Sequence, residues 1–297
     1  MTNASNAANE PRLGKVQCLG TRGLHRMAYW QWERANGASD RVLVCAHGLS
    51  RQGRDFDTLA RAMQDGWRVV CPDVVGRGES DRLADPAGYS LPTYVADMVT
   101  LLARLDAESV AWFGTSMGGL IGVGLAAMSG SPIVRLVLND IGPAIDAAGL
   151  VRIGGYLGQP LTWASEDEAA DYLLTISQGF GPHSREEWLA LTRPMLRREG
   201  ERFRLHYDPA IAVPMKAVTA EMAAAGQAAL WAAYDAVSCP TLLLRGADSD
   251  ILARATAEEM TRRGPKPRLH EFAGVGHAPT LVAPAQVAVV REFLLSP

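Results

Sequence analysis

A chain of 297 residues with 48% hydrophobic and 21% charged residues is long enough to bury one large core and has an ordinary globular composition. Its formal net charge of −3 leaves no electrostatic footprint for nucleic acid or an anionic membrane surface, so neither partner is expected. The polar start, with Asn3, Asn6, Asn9 and Glu10, lacks the basic and apolar regions of a signal peptide, and no apolar run approaches a membrane span. A cytoplasmic location is expected, with residues 1–13 as a frayed tail.

In chain order, Lys15 to Thr21 and Arg26 to Trp32 read as an antiparallel strand pair. Val42 to Ala46 is a buried strand, followed by a helix near Asp55 to Gln64, and Arg68 to Cys71 is the next strand. Ser90 to Leu105 places Tyr94, Val95, Met98, Leu101, Leu102 and Leu105 at helical spacing, with Ser90 as the cap. Ser109 to Phe113 and Ile133 to Leu138 are strands on either side of a glycine-rich helix. Thr241 to Leu244 and Arg268 to Phe272 are the last strands. Between them Ala253 to Arg263 is a helix stopped by Gly264 and Pro265, and Val287, Val290, Phe293 and Leu294 mark a final amphipathic helix. This alternation predicts a mostly parallel α/β sheet covered by helices on both faces.

Residues 142–236 break the rhythm. They show helical patterns such as Glu166 to Ser177 and Glu186 to Arg198, no convincing strand, and too much length for one loop. A helical insertion over one end of the sheet is expected, dividing the core into 14–141 and 237–297. Arg193, Arg197, Arg198, Arg202 and Arg204, interrupted by Glu199 and Glu201, read as a solvated helix face. Cys18, Cys45, Cys71 and Cys239 stand in or beside apolar runs without C-x-x-C spacing, so buried thiols are expected and neither a disulfide nor a metal site.

The chemistry is carried by Gly114-Thr115-Ser116-Met117-Gly118, between a strand and a helix. A serine at so sharp a turn has its hydroxyl exposed, and the helix N-terminus behind it favours developing negative charge. Serine needs a base, and the base needs an orienting group. His277, in the loop Gly274 to Pro279 after the last strand, stands where open α/β sheets build their sites. The acid should follow Thr241 to Leu244, where Asp248 and Asp250 are both candidates; Asp250, next to the apolar pair entering the following helix, is favoured. For the oxyanion, the backbone N–H of Met117 is one donor and that of Leu49, in His47-Gly48-Leu49-Ser50, the second. His47 reads as structural, Arg51 and Arg54 as surface or capping residues, and Trp163, Trp188 and Trp231 as core.

In this set, together with Asp73 to Ser80, the chain resembles the α/β-hydrolase superfamily with a helical cap, from about residue 14 onward. The resemblance implies an eight-stranded sheet with its second strand antiparallel, a cap inserted after the sixth strand, and a structural role for Gly76-Arg77-Gly78-Glu79-Ser80. The chain departs from the commonest pattern at Ser249, where many members place the acid. Ser116, in place of the aspartate that dehalogenating and epoxide-opening members use, implies an acyl-enzyme route without a cofactor. The expected reaction is hydrolysis of a small carboxylic ester or lactone. C–C bond hydrolysis, amide or peptide cleavage and perhydrolysis on the same residues remain alternatives, as does a small-molecule receptor.

Overall fold

The computed structural model describes residues 10–34 and 41–296. Most of the expected frayed tail lies outside these residues, and the first strand already begins at Arg12. Eleven strands are described: β1 (Arg12–Gly20), β2 (Gly23–Trp32), β3 (Val42–Ala46), β4 (Arg68–Asp73), β5 (Val110–Thr115), β6 (Ile133–Asn139), β7 (Thr162–Trp163), β8 (Leu196–Glu199), β9 (Arg202–Leu205), β10 (Thr241–Gly246) and β11 (Arg268–Phe272). Eight of them form one sheet in the order β1-β2-β4-β3-β5-β6-β10-β11. β2 runs antiparallel to β1 and β4, and the remaining neighbours are parallel. This is the doubly covered α/β sheet expected from the strand–helix alternation.

The apolar patterns explain the layers. β3 is Val-Leu-Val-Cys-Ala with every residue buried, as a strand covered on both faces requires. Helices α1 (Asp57–Met63) and α9 (Pro284–Leu295) pack on one face, through Leu59, Met63, Val287, Val290 and Leu294. Helices α2 (Leu91–Leu105) and α3 (Met117–Ala126) pack on the other. Each large apolar side chain buried in this way stabilises the fold by roughly 1.5–3 kcal/mol. All six apolar residues expected on the inner face of α2 are buried. Its cap Ser90 pairs with the Thr93 hydroxyl at 3.1 Å and makes no side-chain bond to the helix backbone.

Between β6 and β10 stand α4 (Ala147–Tyr156), α5 (Glu166–Ile176), α6 (Arg185–Thr192), α7 (Ala212–Lys216) and α8 (Ala220–Ala236). The segment is not purely helical. β7, β9 and β8 form a small antiparallel sheet, and the expected helix over Glu186 to Arg198 stops at Thr192. The arginines read as a helix face therefore lie mostly on the β8–β9 hairpin, whose turn is made by Gly200 at φ 60°. β9 does alternate, as Arg202-Phe203-Arg204-Leu205, but over four residues that is too short a run to stand out against the charges around it. Ala170, Leu173, Trp188, Leu191 and Met195 give this segment a small core of its own. Trp163 and Trp188 are buried, while the ring of half-buried Trp231 carries Arg263 at 3.9 Å.

Sheet register positions the site. Thr115 at the end of β5 pairs with Asn139 at the end of β6, and Asn139 pairs in turn with Leu244 on β10. The residues that follow, Ser116 and Asp140, therefore leave the sheet side by side at its carboxyl edge, where doubly wound sheets gather ligands.

Candidate active site

Ser116 sits at φ 52° and ψ −119° between β5 and α3. A non-glycine residue in that region carries about 1–3 kcal/mol of backbone strain, which the surroundings enforce. The Ser116 N–H donates to Asn139 O at 3.0 Å, and Ser116 O accepts from Gly119 and Leu120. A Cβ on Gly118 would overlap the Ala46 carbonyl, and one on Gly114 would overlap the Gly118 backbone. Glycine at both places lets α3 lie directly against β3 and β5 with the serine hydroxyl standing clear.

His277 reaches that hydroxyl as expected, with Nε2 3.0 Å from Ser116 Oγ. Its other nitrogen, Nδ1, is 2.7 Å from Oδ2 of Asp140, a carboxylate with no solvent exposure. Asp140 also accepts from the Gly246 N–H at 2.9 Å through Oδ1 and from the Ser249 hydroxyl at 2.6 Å through Oδ2. Ser249 Oγ itself accepts from the amides of Ile251 and Leu252 at 3.2 and 3.0 Å, so its proton is free to turn to Asp140. Asn139 ties the base loop to the sheet, donating to Thr115 Oγ1 at 3.0 Å and to Pro279 O at 2.8 Å.

Neither Asp250 nor Asp248 orients His277, and the assignment to Asp250 is corrected on this geometry. The Asp250 carboxylate holds Arg152 through two bonds, Nε at 2.5 Å and Nη2 at 2.8 Å. The Arg152 guanidinium keeps its carboxyl below the usual range. Asp248 is exposed, and its backbone N–H donates to Val275 O at 2.9 Å. Sequence reasoning missed Asp140, although a usable signal was present: an aspartate directly after a buried apolar strand, at the edge where these sheets carry chemistry.

Gly48 lies against Ser116; a Cβ built on it would stand 3.6 Å from the Ser116 Cβ. The peptide after it has a fixed orientation. His47 Nε2 accepts from the Val74 N–H at 2.9 Å, so the ring carries its proton on Nδ1 and donates it to Gly48 O at 2.7 Å. Arg51 N–H donates to the same carbonyl at 3.2 Å. Peptide planarity then turns the Leu49 N–H the opposite way. Buried Arg77 fixes the next peptide, donating from Nε to Leu49 O at 2.8 Å and from Nη1 to Val75 O and Tyr94 Oη. Among the described residues, the Leu49 N–H has no acceptor, and the Met117 N–H, at the first position of α3, has none within its helix. Two unclaimed donors are what a developing oxyanion requires.

Burial, with smaller contributions from Arg77 and Arg51, pushes the His47 imidazole down to about 3. Below pH 6.5 the unfolded chain takes up a proton that the folded protein refuses. Stability is therefore complete above about pH 6.5 and falls toward pH 3, by up to about 1.4 kcal/mol per pH unit from this group. His47→Gln should flatten the dependence of unfolding free energy on pH by about one proton in that window, measured by denaturant titration. An unchanged slope contradicts the neutral, buried assignment.

Two cavities meet at His277, and the smaller of them also reaches Ser116. One of about 70 Å³ is lined by Ser116, Ile153, Leu173, Ile176, Phe180 and Met195, among others. The other, of about 570 Å³, reaches His277 past Arg152, Tyr156, Thr175, Gln178 and Asp248. Arg51 is fully engaged, with Asp55 at 2.5 and 2.8 Å, Leu191 O at 3.3 Å and Met195 Sδ, and Arg54 holds Asp57 at 2.6 Å. Both are struts, but Arg51 is not the surface or capping group expected: its side chain is mostly buried and lines the small cavity. Among the described residues, the group of metal-ligating types that converges is Cys18, His25 and Asp97 on β1, β2 and α2. It is apart from Ser116 and already joined by a His25 Nε2–Asp97 Oδ2 bond of 3.0 Å. The four cysteines are unpaired.

Comparison with known proteins shows the family and the fold. A family model described as "Alpha/beta hydrolase family" matches residues 43–290. A 3-hydroxybutyrate-oligomer hydrolase of Cupriavidus necator is 53% identical over 95% of this chain and 97% of its own length. An α/β hydrolase from Novosphingobium aromaticivorans superposes with a TM-score of 0.84 at 33% identity, covering 96% of this chain and 98% of that one. A putative hydrolase from Rickettsia typhi gives a TM-score of 0.85 at 28% identity, with coverages of 96% and 98%.

Proposed function

The chain belongs to the α/β-hydrolase family and is an ester-bond hydrolase; from that premise we propose that it cleaves short oligomers of hydroxy acids through a triad of Ser116, His277 and Asp140. The observation that carries the triad is His277 bridging the serine at 3.0 Å and the buried carboxylate at 2.7 Å. The substrate class is supported by the 53% identical relative, whose name specifies 3-hydroxybutyrate oligomers, and by a small apolar cavity opening into a larger one with polar groups.

Ser116 Oγ attacks the ester carbonyl while its proton passes to His277 Nε2. Asp140 keeps the Nδ1 proton in place and stabilises the imidazolium. The carbonyl oxygen, now negative, rests against the N–H groups of Leu49 and Met117. Collapse of the adduct expels the alcohol, which takes the proton from Nε2. Water, deprotonated by His277, then releases the acid and restores Ser116. For an oligomer, both products are hydroxy acids. Residues 142–236 act as the cap, supplying Ile153, Leu173 and Met195 to the small cavity. The described residues hold no helix long and apolar enough to cross a membrane, and the unpaired cysteines suit a reducing cytoplasm.

The test is release of monomer from a 3-hydroxybutyrate dimer and trimer, with peptide mass spectrometry of the fluorophosphonate-labelled enzyme. Steady release and labelling at Ser116 are expected. A single slow burst would indicate a receptor, and steady cleavage of p-nitrophenyl butyrate without monomer release would remove the oligomer reading.

A further inference from the structure

With the acid of the site at Asp140, Asp250 has another task, and the residue it holds belongs to the active-site cavities. Arg152, on α4, lines both of them, beside Ser116 in one and His277 in the other. We propose that Arg152 is a carboxylate-binding subsite that receives the free carboxylate of the hydroxy-acid substrate, with Asp250 holding the opposite edge of its guanidinium. The inference rests on the hydroxy-acid reading of the site and adds to it a specific recognition group.

A guanidinium carries five N–H donors in a rigid plane. Asp250 takes the Nε donor and one on Nη2, and the Tyr156 hydroxyl lies against the group. With the Nε edge taken by Asp250, three donors remain on Nη1 and Nη2, and even with one given to Tyr156 two are left to hydrogen-bond a carboxylate. Arg51 shows the contrast. It lines the small cavity too, but its side chain is only 11% exposed and its donors go to Asp55, Leu191 O and Met195. Arg152 and Asp250 are each 38% exposed. Their pairing keeps both charged and fixes the guanidinium before a ligand arrives, which lowers the entropic cost of binding.

Net charge does not do the recognising. Asp248 and Asp250 line the larger cavity with Arg152, so the field there does not draw anions in from a distance. Selection works through directed, charge-assisted hydrogen bonds at short range, and it will resist added salt better than long-range attraction would.

The experiment compares two substrates that differ only at the far end: the 3-hydroxybutyrate dimer and its methyl ester. Wild-type enzyme should favour the free acid in kcat/KM. Arg152→Met should lower that selectivity about 10- to 100-fold, as loss of a charge-assisted hydrogen bond does, and the change should appear mainly in KM. Arg152→Lys, which keeps the charge without the planar fork, should give an intermediate ratio. Because Arg152→Met alone leaves the Asp250 carboxylate unpaired in the cavity, the ratio is also read in Arg152→Met/Asp250→Asn: a purely structural tether would leave it unmoved relative to Asp250→Asn, and that result overturns the subsite. An enzyme inert toward both substrates overturns the hydroxy-acid reading and this inference with it. Efficient cleavage of both, with no preference before or after substitution, overturns the subsite alone.

Discussion

Asp140→Asn should lower kcat on a simple ester about 10⁴-fold, the loss expected when the orienting acid of a serine–histidine pair becomes an amide. The hydrogen bonds around the carboxylate say why. Gly246 N–H donates to Oδ1, so the amide oxygen of an asparagine would sit there. Its NH₂ would then take the Oδ2 position, facing His277 Nδ1 and the Ser249 hydroxyl. An NH₂ facing Nδ1 favours the tautomer with its proton on Nε2, and that nitrogen can no longer accept the proton of Ser116. Asp250→Asn provides the contrast, since it loosens Arg152 and leaves the Asp140–His277 hydrogen bond in place. A fall of under tenfold in kcat on p-nitrophenyl acetate is expected for it. Steady-state kinetics of the two variants decides the matter: a larger loss for Asp250→Asn would return the acid to the β10 loop.

Ser116→Ala should remove ester turnover by a factor of about 10⁵–10⁶, leaving the modest acceleration that the oxyanion donors and binding supply without a nucleophile. Because the serine hydroxyl makes no cap bond to α3, the variant should keep the wild-type melting temperature to within a few degrees, and differential scanning fluorimetry with activity on one preparation separates chemistry from folding. The same variant should escape the fluorophosphonate probe. Turnover near the wild-type rate would contradict Ser116 as nucleophile.

Much of this was legible in the sequence because it is written locally. Buried strands such as Val42–Ala46 announce themselves by apolar runs, α2 by its spacing, and the serine turn by glycines where the backbones of α3, β3 and β5 meet. His277 was legible from its place after the last strand. The acid was not, because its identity depends on which carboxylate the folded chain presents to Nδ1. Asp140, Asp248 and Asp250 all follow strands that end at the same sheet edge. Hydrogen bonding separates them: Ser249 and Gly246 face Asp140, while Arg152, far off in sequence, captures Asp250. The β8–β9 hairpin was misread for another reason: Arg202-Phe203-Arg204-Leu205 alternates over only four residues, and the charges flanking it also fit a solvated helix face.

The ladder between β5 and β6 has an inherited consequence. Because Thr115 pairs with Asn139, Ser116 and Asp140 belong to one strand–helix–strand unit, and the distance between them does not pass through the insertion. An acid on the β10 loop would have been separated from the serine by the whole of residues 142–236. In this chain, lineages could lengthen, shorten or rebuild that segment while the spacing of Ser116 and Asp140 stayed constant, with only the histidine loop left to keep in step. On the proposed roles, the wall of the substrate cavity and the spacing of the reacting groups lie in separate stretches of the gene, free to change at different rates.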